Sequence, residues 1–382
     1  MSEVSSVMRK KASELYIASL SDVHLGHPKT PTSSILKNLR KAFPDTEETG
    51  KLDLIFIVGD LFDGLLDVPD PAVSEIKIWF HQFLRMCAKR DIVVRVLEGT
   101  PSHDWKQSWL LDSINVHSNY GVDLKYVTDL SIEYIEKFGI HLLYVPDEWR
   151  PETDDTWREV LQLLRQHNLE KVDYALIHGS FTYQLPPTVH APTHDPERYL
   201  SVVNKYIFVG HVHKSSVYER ILAHGSFDRL SHGEEEAKGH WRVKVTPTGD
   251  QVTFIETKDA TRYVTVNCVG IQVEDALERL KTVATLPDGS HVRVMASRTD
   301  PIMASLDVLR NEYPRLHWTS KAVETDTKTT QANLLVDLRR SFQQLNITPD
   351  NIRDLIMKRL EAEVADQVVL ERCRQRLMEI VQ

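Results

Sequence analysis

The chain is 382 residues long, 41% hydrophobic and 26% charged, with a formal net charge of −9. This is the composition of a soluble globular protein with more than one domain, and it excludes a disordered chain. The acidic excess lies within residues 1–260, which weighs mildly against a DNA ligand because duplex binding rests on phosphate neutralisation. Bound divalent cations would reverse that sign locally.

Cys87, Cys268 and Cys373 are far apart and odd in number, so they predict neither a disulfide framework nor thiolate metal ligands, and they suit a reducing cytosol. Residues Met1–Lys11 are polar with no apolar stretch after them, which predicts no leader. No run approaches the roughly 20 apolar residues of a membrane span.

In chain order, apolar runs at Leu15–Leu20, Leu54–Val58, Ile92–Leu97, Tyr174–Ile177 and Tyr206–Val209 read as buried strands. A helix is predicted over Ala72–Lys89 and another over Asp155–Gln166. Ser216–Leu222 reads as a strand, and Arg242–Thr246 with Gln251–Glu256 as a hairpin around Pro247–Asp250. Residues 262–320 predict a compact α+β unit: strand Tyr263–Cys268, helix Glu274–Val283, strand His291–Ala296, helix Ala304–Asn311 and strand Leu316–Thr319. Ala322–Gln331 is polar and Thr-rich, as linkers are. Two amphipathic helices are expected beyond it, the second opening at Thr348-Pro349-Asp350.

The chemistry is concentrated after the five early strands. Ser21-Asp22-Val23-His24, Gly59-Asp60-Leu61-Phe62-Asp63, Gly99-Thr100-Pro101-Ser102-His103-Asp104, Ile177-His178-Gly179 and Gly210-His211-Val212-His213 follow them in order. Ligands at the ends of successive buried strands converge on one sheet edge. Asp22 and His24, two apart, can share an ion if the strand persists. Gly59 lets the backbone turn tightly under Asp60, a carboxylate able to bridge two ions, while Asp63 suits an orienting role. Carboxylates and imidazoles without thiolates suit borderline divalent metals, and two metals sharing a carboxylate form the usual clamp for phosphoryl transfer. His27, His81, His117, His167, His190, His194, His224 and His240 read as surface or structural. Trp105 and Trp109 read as packing residues, with a base-stacking platform as the alternative.

This series resembles the calcineurin-like metallophosphoesterases. The later stretch Ala223–Gly239, with Gly225, Ser226, Arg229, Lys238 and Gly239, resembles the segment after the last His pair in SbcD-type DNA nucleases. Those are the nuclease subunits of complexes with an SbcC-type coiled-coil ATPase in bacteria and many large phages. The resemblance covers residues 14–258 in motif detail and the remainder in outline. It implies an α/β fold, a four-layer sandwich of two mixed β-sheets flanked by helices, with a small α+β capping domain and C-terminal helices. The domains would be 1–258 (nuclease), 259–321 (cap), 322–331 (linker) and 332–382 (helices that grip the ATPase).

The resemblance also implies two divalent ions, Mn²⁺ with Mg²⁺ as the alternative. Asp22, His24, Asp60 and His213 would hold one; Asp60, His178 and His211 would hold the other. The family writes Gly-Asn-His-Asp where this chain has Gly99-Thr-Pro-Ser102-His103-Asp104. Ser102 is expected to replace the Asn as a weaker ligand, with Thr100 or water as alternatives, so the second ion should bind more loosely. His103 would protonate the leaving oxygen, Asp104 would fix the orientation of a neighbouring His, and Arg229 is a candidate substrate contact. The implied protein is a Mn-dependent DNA exonuclease or endonuclease of recombination, repair or replication. It would work as a homodimer with an SbcC-like ATPase in the cytoplasm of a bacterial or phage-infected cell. The alternatives are a phosphatase or phosphodiesterase on other substrates, and a non-catalytic scaffold.

Overall fold

Two sheets of six strands each arise from these apolar runs, in a computed structural model that describes residues 14–67, 69–323, 356–357, 371–374 and 376. In the first, β1 (Leu15–Leu20), β2 (Leu54–Val58), β3 (Val93–Leu97) and β4 (Leu124–Val127) run parallel. β11 (Gly239–Val245) and β12 (Gln251–Glu256) complete it antiparallel, in the order β12-β11-β1-β2-β3-β4. The second has the order β5-β6-β7-β8-β10-β9. Its parallel centre is β6 (Ile140–Val145), β7 (Val172–His178), β8 (Val203–Gly210) and β10 (Ile221–Ala223), and its antiparallel edges are β5 (Ser131–Ile135) and β9 (Ser216–Tyr218).

The period-two alternation of each strand decides what it faces. Leu54, Phe56 and Val58 of β2 meet Tyr174 and Leu176 of β7 and Phe208 of β8 in a layer between the sheets. Fully burying each such side chain is worth roughly 1.5–3 kcal/mol. Ile55 and Ile57 point the other way, onto α1 (Thr32–Ala42), α2 (Pro71–Arg90) and Leu111. A short α3 (Pro101–Asp104) precedes α4 (Trp109–His117), which carries Leu111. On the far side, Ala175 and Ile177 pack against α5 (Thr153–Gln166) and α6 (Pro196–Val202). The result is an α/β sandwich of two mixed sheets flanked by helices, as expected. α2 begins where Asp70 accepts a hydrogen bond from Ala72 N–H and Pro71 takes the first helical position.

His224, read as structural, joins the two sheets. Its Nε2 lies 2.7 Å from Ser19 Oγ on β1 and its Nδ1 2.7 Å from the Val209 carbonyl on β8. Burial pushes its pKa down to about 4, so the ring is neutral.

A third, all-parallel sheet joins β13 (Tyr263–Asn267), β14 (His291–Ser297) and β15 (His317–Val323), with α7 (Val273–Leu280) and α8 (Leu306–Glu312) closing its own core. This α+β module lies in one compact unit with the sandwich, residues 1–323. Thr30 Oγ1 meets Tyr263 Oη at 2.7 Å, and Asp228 Oδ1 accepts from Thr261 N–H at 2.8 Å. The boundary expected at 258 is therefore a change of sheet rather than a break in packing. β15 also runs two residues into the stretch read as linker. The remaining expected linker, 324–331, the first expected C-terminal helix and most of the second lie outside the described residues; contacts set 324–382 apart as a second unit. Of that second unit, residues 356–357, 371–374 and 376 are helical.

Ser216–Leu222 is a hairpin rather than one strand, because Glu219 takes a left-handed turn at φ 49° between β9 and β10. Among the described residues no helix is long and apolar enough to cross a membrane.

Candidate metal centre

The motif residues sit at or just past the C-terminal ends of parallel strands, and both sheets contribute. β1 leads to Asp22 and His24, β2 to Asp60, and β3 to Thr100 and His103. From the facing sheet, β7 ends in His178 and β8 leads to His211 and His213. The two edges approach closely at glycines. A Cβ on Gly59 would overlap His178 Nδ1 and the backbone of Gly99, and one on Gly210 would overlap Ser21 Oγ and the Val58 carbonyl. Asp22 (φ 50°), His24 (φ 54°), Asp60 (φ 49°) and His211 (φ 98°) all have left-handed backbone. Such residues cost of order 1–3 kcal/mol each and persist where the surroundings over-determine them.

Asp60 is the hub. Its Oδ2 accepts from His103 Nδ1–H at 2.9 Å and its Oδ1 from Thr100 N–H at 2.6 Å. His178 Nε2 lies 3.3 Å from Oδ1 and His24 Nε2 3.8 Å from Oδ2. Burial alone would raise the Asp60 pKa, but the neighbouring His178 and the hydrogen bond from His103 hold it far below the usual carboxylate range. The His103 pKa is correspondingly raised, first by its hydrogen bond to Asp60.

Among the described residues, four groups of three side chains bring their donor atoms within 4.8 Å of one another: Asp22, His24 and His213; Asp22, Asp60 and His178; His24, Asp60 and His103; and Asp147, His178 and His211. These buried clusters can hold a metal ion. His24 Nε2 and His213 Nε2 point at each other 3.1 Å apart. Two imidazole nitrogens about 2.1 Å from one ion would stand about that far apart as adjacent ligands. His178 donates its Nδ1–H to the Val58 carbonyl at 2.7 Å, and its buried Nε2 has no hydrogen-bond partner. The donor set therefore fits a divalent cation.

Orienting contacts surround these donors. His24 Nδ1 lies 2.9 Å from Asp63 Oδ1, which places Asp63 beside the ring it was expected to orient. Glu234 does the same for His213, at 3.3 Å from its Nδ1, and also accepts from Ser226 Oγ, Leu230 N–H and Lys238. Burial works against the Glu234 charge, but His213 and Lys238 hold its pKa down at about 2.

Several expectations are corrected. Ser102 is exposed in the first turn of α3, its carbonyl accepting from Trp105 Nε1–H. Thr100 faces the cluster instead. It is the N-cap of α3 but does not cap it, and its hydroxyl lies 2.9 Å from Asp147 Oδ2, 3.3 Å from His211 Nδ1 and 3.4 Å from Asp60 Oδ2. Pro101 at the first helical position starts the turn that carries Ser102 away. Asp104 is fully buried and accepts from the N–H groups of Phe62 and Gly99, so it ties two ligand loops together and orients no histidine. Burial, with Asp60 and Glu98 nearby, pushes its pKa up to about 7. Arg229 is only 2% exposed and donates to the Glu236 carbonyl at 2.8 Å, bracing the 229–238 loop rather than meeting a ligand. Trp105 and Trp109 are exposed rather than packed. A calorimetric Mn²⁺ titration of Ser102→Ala should superimpose on wild type, whereas Thr100→Val should weaken binding about 10–100-fold. A weakened Ser102→Ala isotherm would return Ser102 to the site.

The sequence reading missed Asp147. It follows β6 as the other ligands follow their strands, but His141 interrupts that apolar run and Pro146-Asp147-Glu148 reads as an ordinary turn.

No family model matches the sequence, and no curated protein matches it. Among solved structures, one aligns over 64% of this chain and 100% of its own, at 11% identity and a TM-score of 0.40. TT1561 of Thermus thermophilus aligns over 63% of this chain and 98% of its own, at 14% identity and a TM-score of 0.37. Likenesses this distant carry no argument about the site.

Proposed function

We propose that the protein is a metal-dependent phosphoesterase of the calcineurin-like kind, an SbcD-type nuclease that cleaves DNA phosphodiesters with Mn²⁺ and works with a coiled-coil ATPase. The observation that carries this reading is Asp60: one carboxylate shared by two donor clusters, with His103 2.9 Å away at its rim. Bound divalent ions would supply charge neutralisation at the phosphoryl oxygens and a lower pKa for the attacking water. Asp22, His24, Asp60 and His213 would hold one, and Asp60, His178 and His211 the other.

The chain's own residues supply the rest. His103 commits its Nδ1–H to Asp60, which leaves Nε2 for the leaving oxygen, and its side chain is 39% exposed, within a substrate's reach. A positioned acid of this kind contributes typically about 10²–10⁴-fold. Exposed Trp105, two residues beyond His103, offers a flat apolar face on which an unpaired base can stack.

Incubation with linear DNA and Mn²⁺, with and without a coiled-coil ATPase and beside p-nitrophenyl phosphate, tests the reading. Strand cleavage that chelator abolishes is expected. Hydrolysis of the small ester with intact DNA would instead make the protein a phosphatase, and inertness toward both would make it a scaffold.

A further inference from the structure

The second cluster is one ligand short if its members come only from the motifs, and Thr100 offers a neutral hydroxyl where an amide oxygen was expected. The structure puts a carboxylate there. Asp147, brought in by the end of β6, lies 12% exposed with Oδ2 3.3 Å from His211 Nδ1. Its donor oxygen falls within 4.8 Å of the ligand atoms of both His178 and His211. An orienting carboxylate serves one imidazole, whereas this one stands among the donor atoms of two. His178 presents a fully buried Nε2 with no hydrogen-bond partner, while its other nitrogen is occupied by the Val58 carbonyl. Thr100 Oγ1, 2.9 Å from Asp147 Oδ2, fixes the carboxylate from the opposite sheet. Gly179 beside it has φ 145°, and a Cβ there would crowd His194 Nε2 at 3.3 Å while making only ordinary contact with Asp147 Oδ1 at 3.5 Å.

We propose that Asp147 is a ligand of the second ion, completing a set of Asp60, Asp147, His178 and His211 in place of the family's neutral amide. The proposal rests on the two-metal reading. It reverses the expectation of a loosely held second ion, because a neutral donor is replaced by an anionic one. With Asp22, Asp60 and Asp147 the centre carries three carboxylates, so two divalent cations leave it with less net positive charge than an Asn ligand would. Carboxylate-rich shells favour Mn²⁺ and Mg²⁺ over softer ions.

The test is Mn²⁺ binding to the metal-free full-length protein by calorimetry, with electron paramagnetic resonance reporting coupled ion pairs. Wild type, Asp147→Ala and Asp147→Asn are compared, and thermal melts confirm that each is folded. Wild type should bind two equivalents with a coupled signal. Asp147→Ala should bind one tightly, its second site weakened by more than the roughly 100-fold that loss of an orienting partner costs, and the coupled signal should vanish. Asp147→Asn, which keeps an oxygen donor, should retain two equivalents with a weaker second site. Two equivalents in Asp147→Ala, at wild-type affinity or weakened only within that range, would overturn the proposal and leave Asp147 an orienting contact of His211. Failure of wild type to take up any Mn²⁺ would overturn the two-metal reading itself, and this ligand with it.

Discussion

Asp60→Asn should remove most phosphodiester cleavage and leave a folded protein. The carboxylate is within 4 Å of three imidazoles, His24 and His103 beside it and His178 from the facing sheet, and it accepts from Thr100 N–H. An amide is neutral, and one of its two positions becomes a donor facing either Thr100 N–H or His103 Nδ1–H. Ions that lose their shared anion lose several kcal/mol of transition-state stabilisation. At about 1.4 kcal/mol per tenfold, this is a loss of roughly 10³-fold or more in turnover. Calorimetry should show that tight binding of two Mn²⁺ is lost as well. Two tight sites in the variant would mean that Asp60 does not bridge.

His103→Ala should separate binding from chemistry. The ring makes one hydrogen bond to the hub and sits at its exposed rim, so its removal should leave metal stoichiometry unchanged. DNA cleavage should fall about 10²–10⁴-fold, because the departing sugar oxygen is a poor leaving group without a proton. A p-nitrophenyl phosphodiester, whose leaving group needs none, should lose far less, and added imidazole should restore part of the DNA activity. An equal loss on both substrates, with no rescue, would make His103 a structural contact and not an acid.

How much of this was legible beforehand differs by element. β1 and β2 are visible to the residue because each is a short run, buried throughout in β2 and at every position but Tyr16 in β1, bounded by turn-forming residues. The order of the Asp and His motifs located the donor atoms because ligands must lie past strand ends in a parallel sheet. Ser102 misled because alignment against a motif counts positions, whereas the helix that Pro101 starts determines direction. Asp104 and Arg229 misled because charge suggests chemistry, and only the fold shows that both are buried against backbone. Asp147 was hidden because nothing in Pro-Asp-Glu differs from a surface turn until β6 is seen beside β7.

The donor atoms come from two sheets that share no backbone hydrogen bonds with each other. Their separation is therefore set by what fills the gap. Phe56 and Phe208 meet there edge to face, with ring centroids 5.5 Å apart. That apolar layer is a spacer, and its thickness fixes how far one half-set of ligands stands from the other. A change of volume in it touches none of the donor side chains yet alters the span between the two half-sets that would hold the proposed ions. On the proposed reading such positions couple core packing to site geometry, and adjusting the spacer is a route by which the same donor set can be given another span.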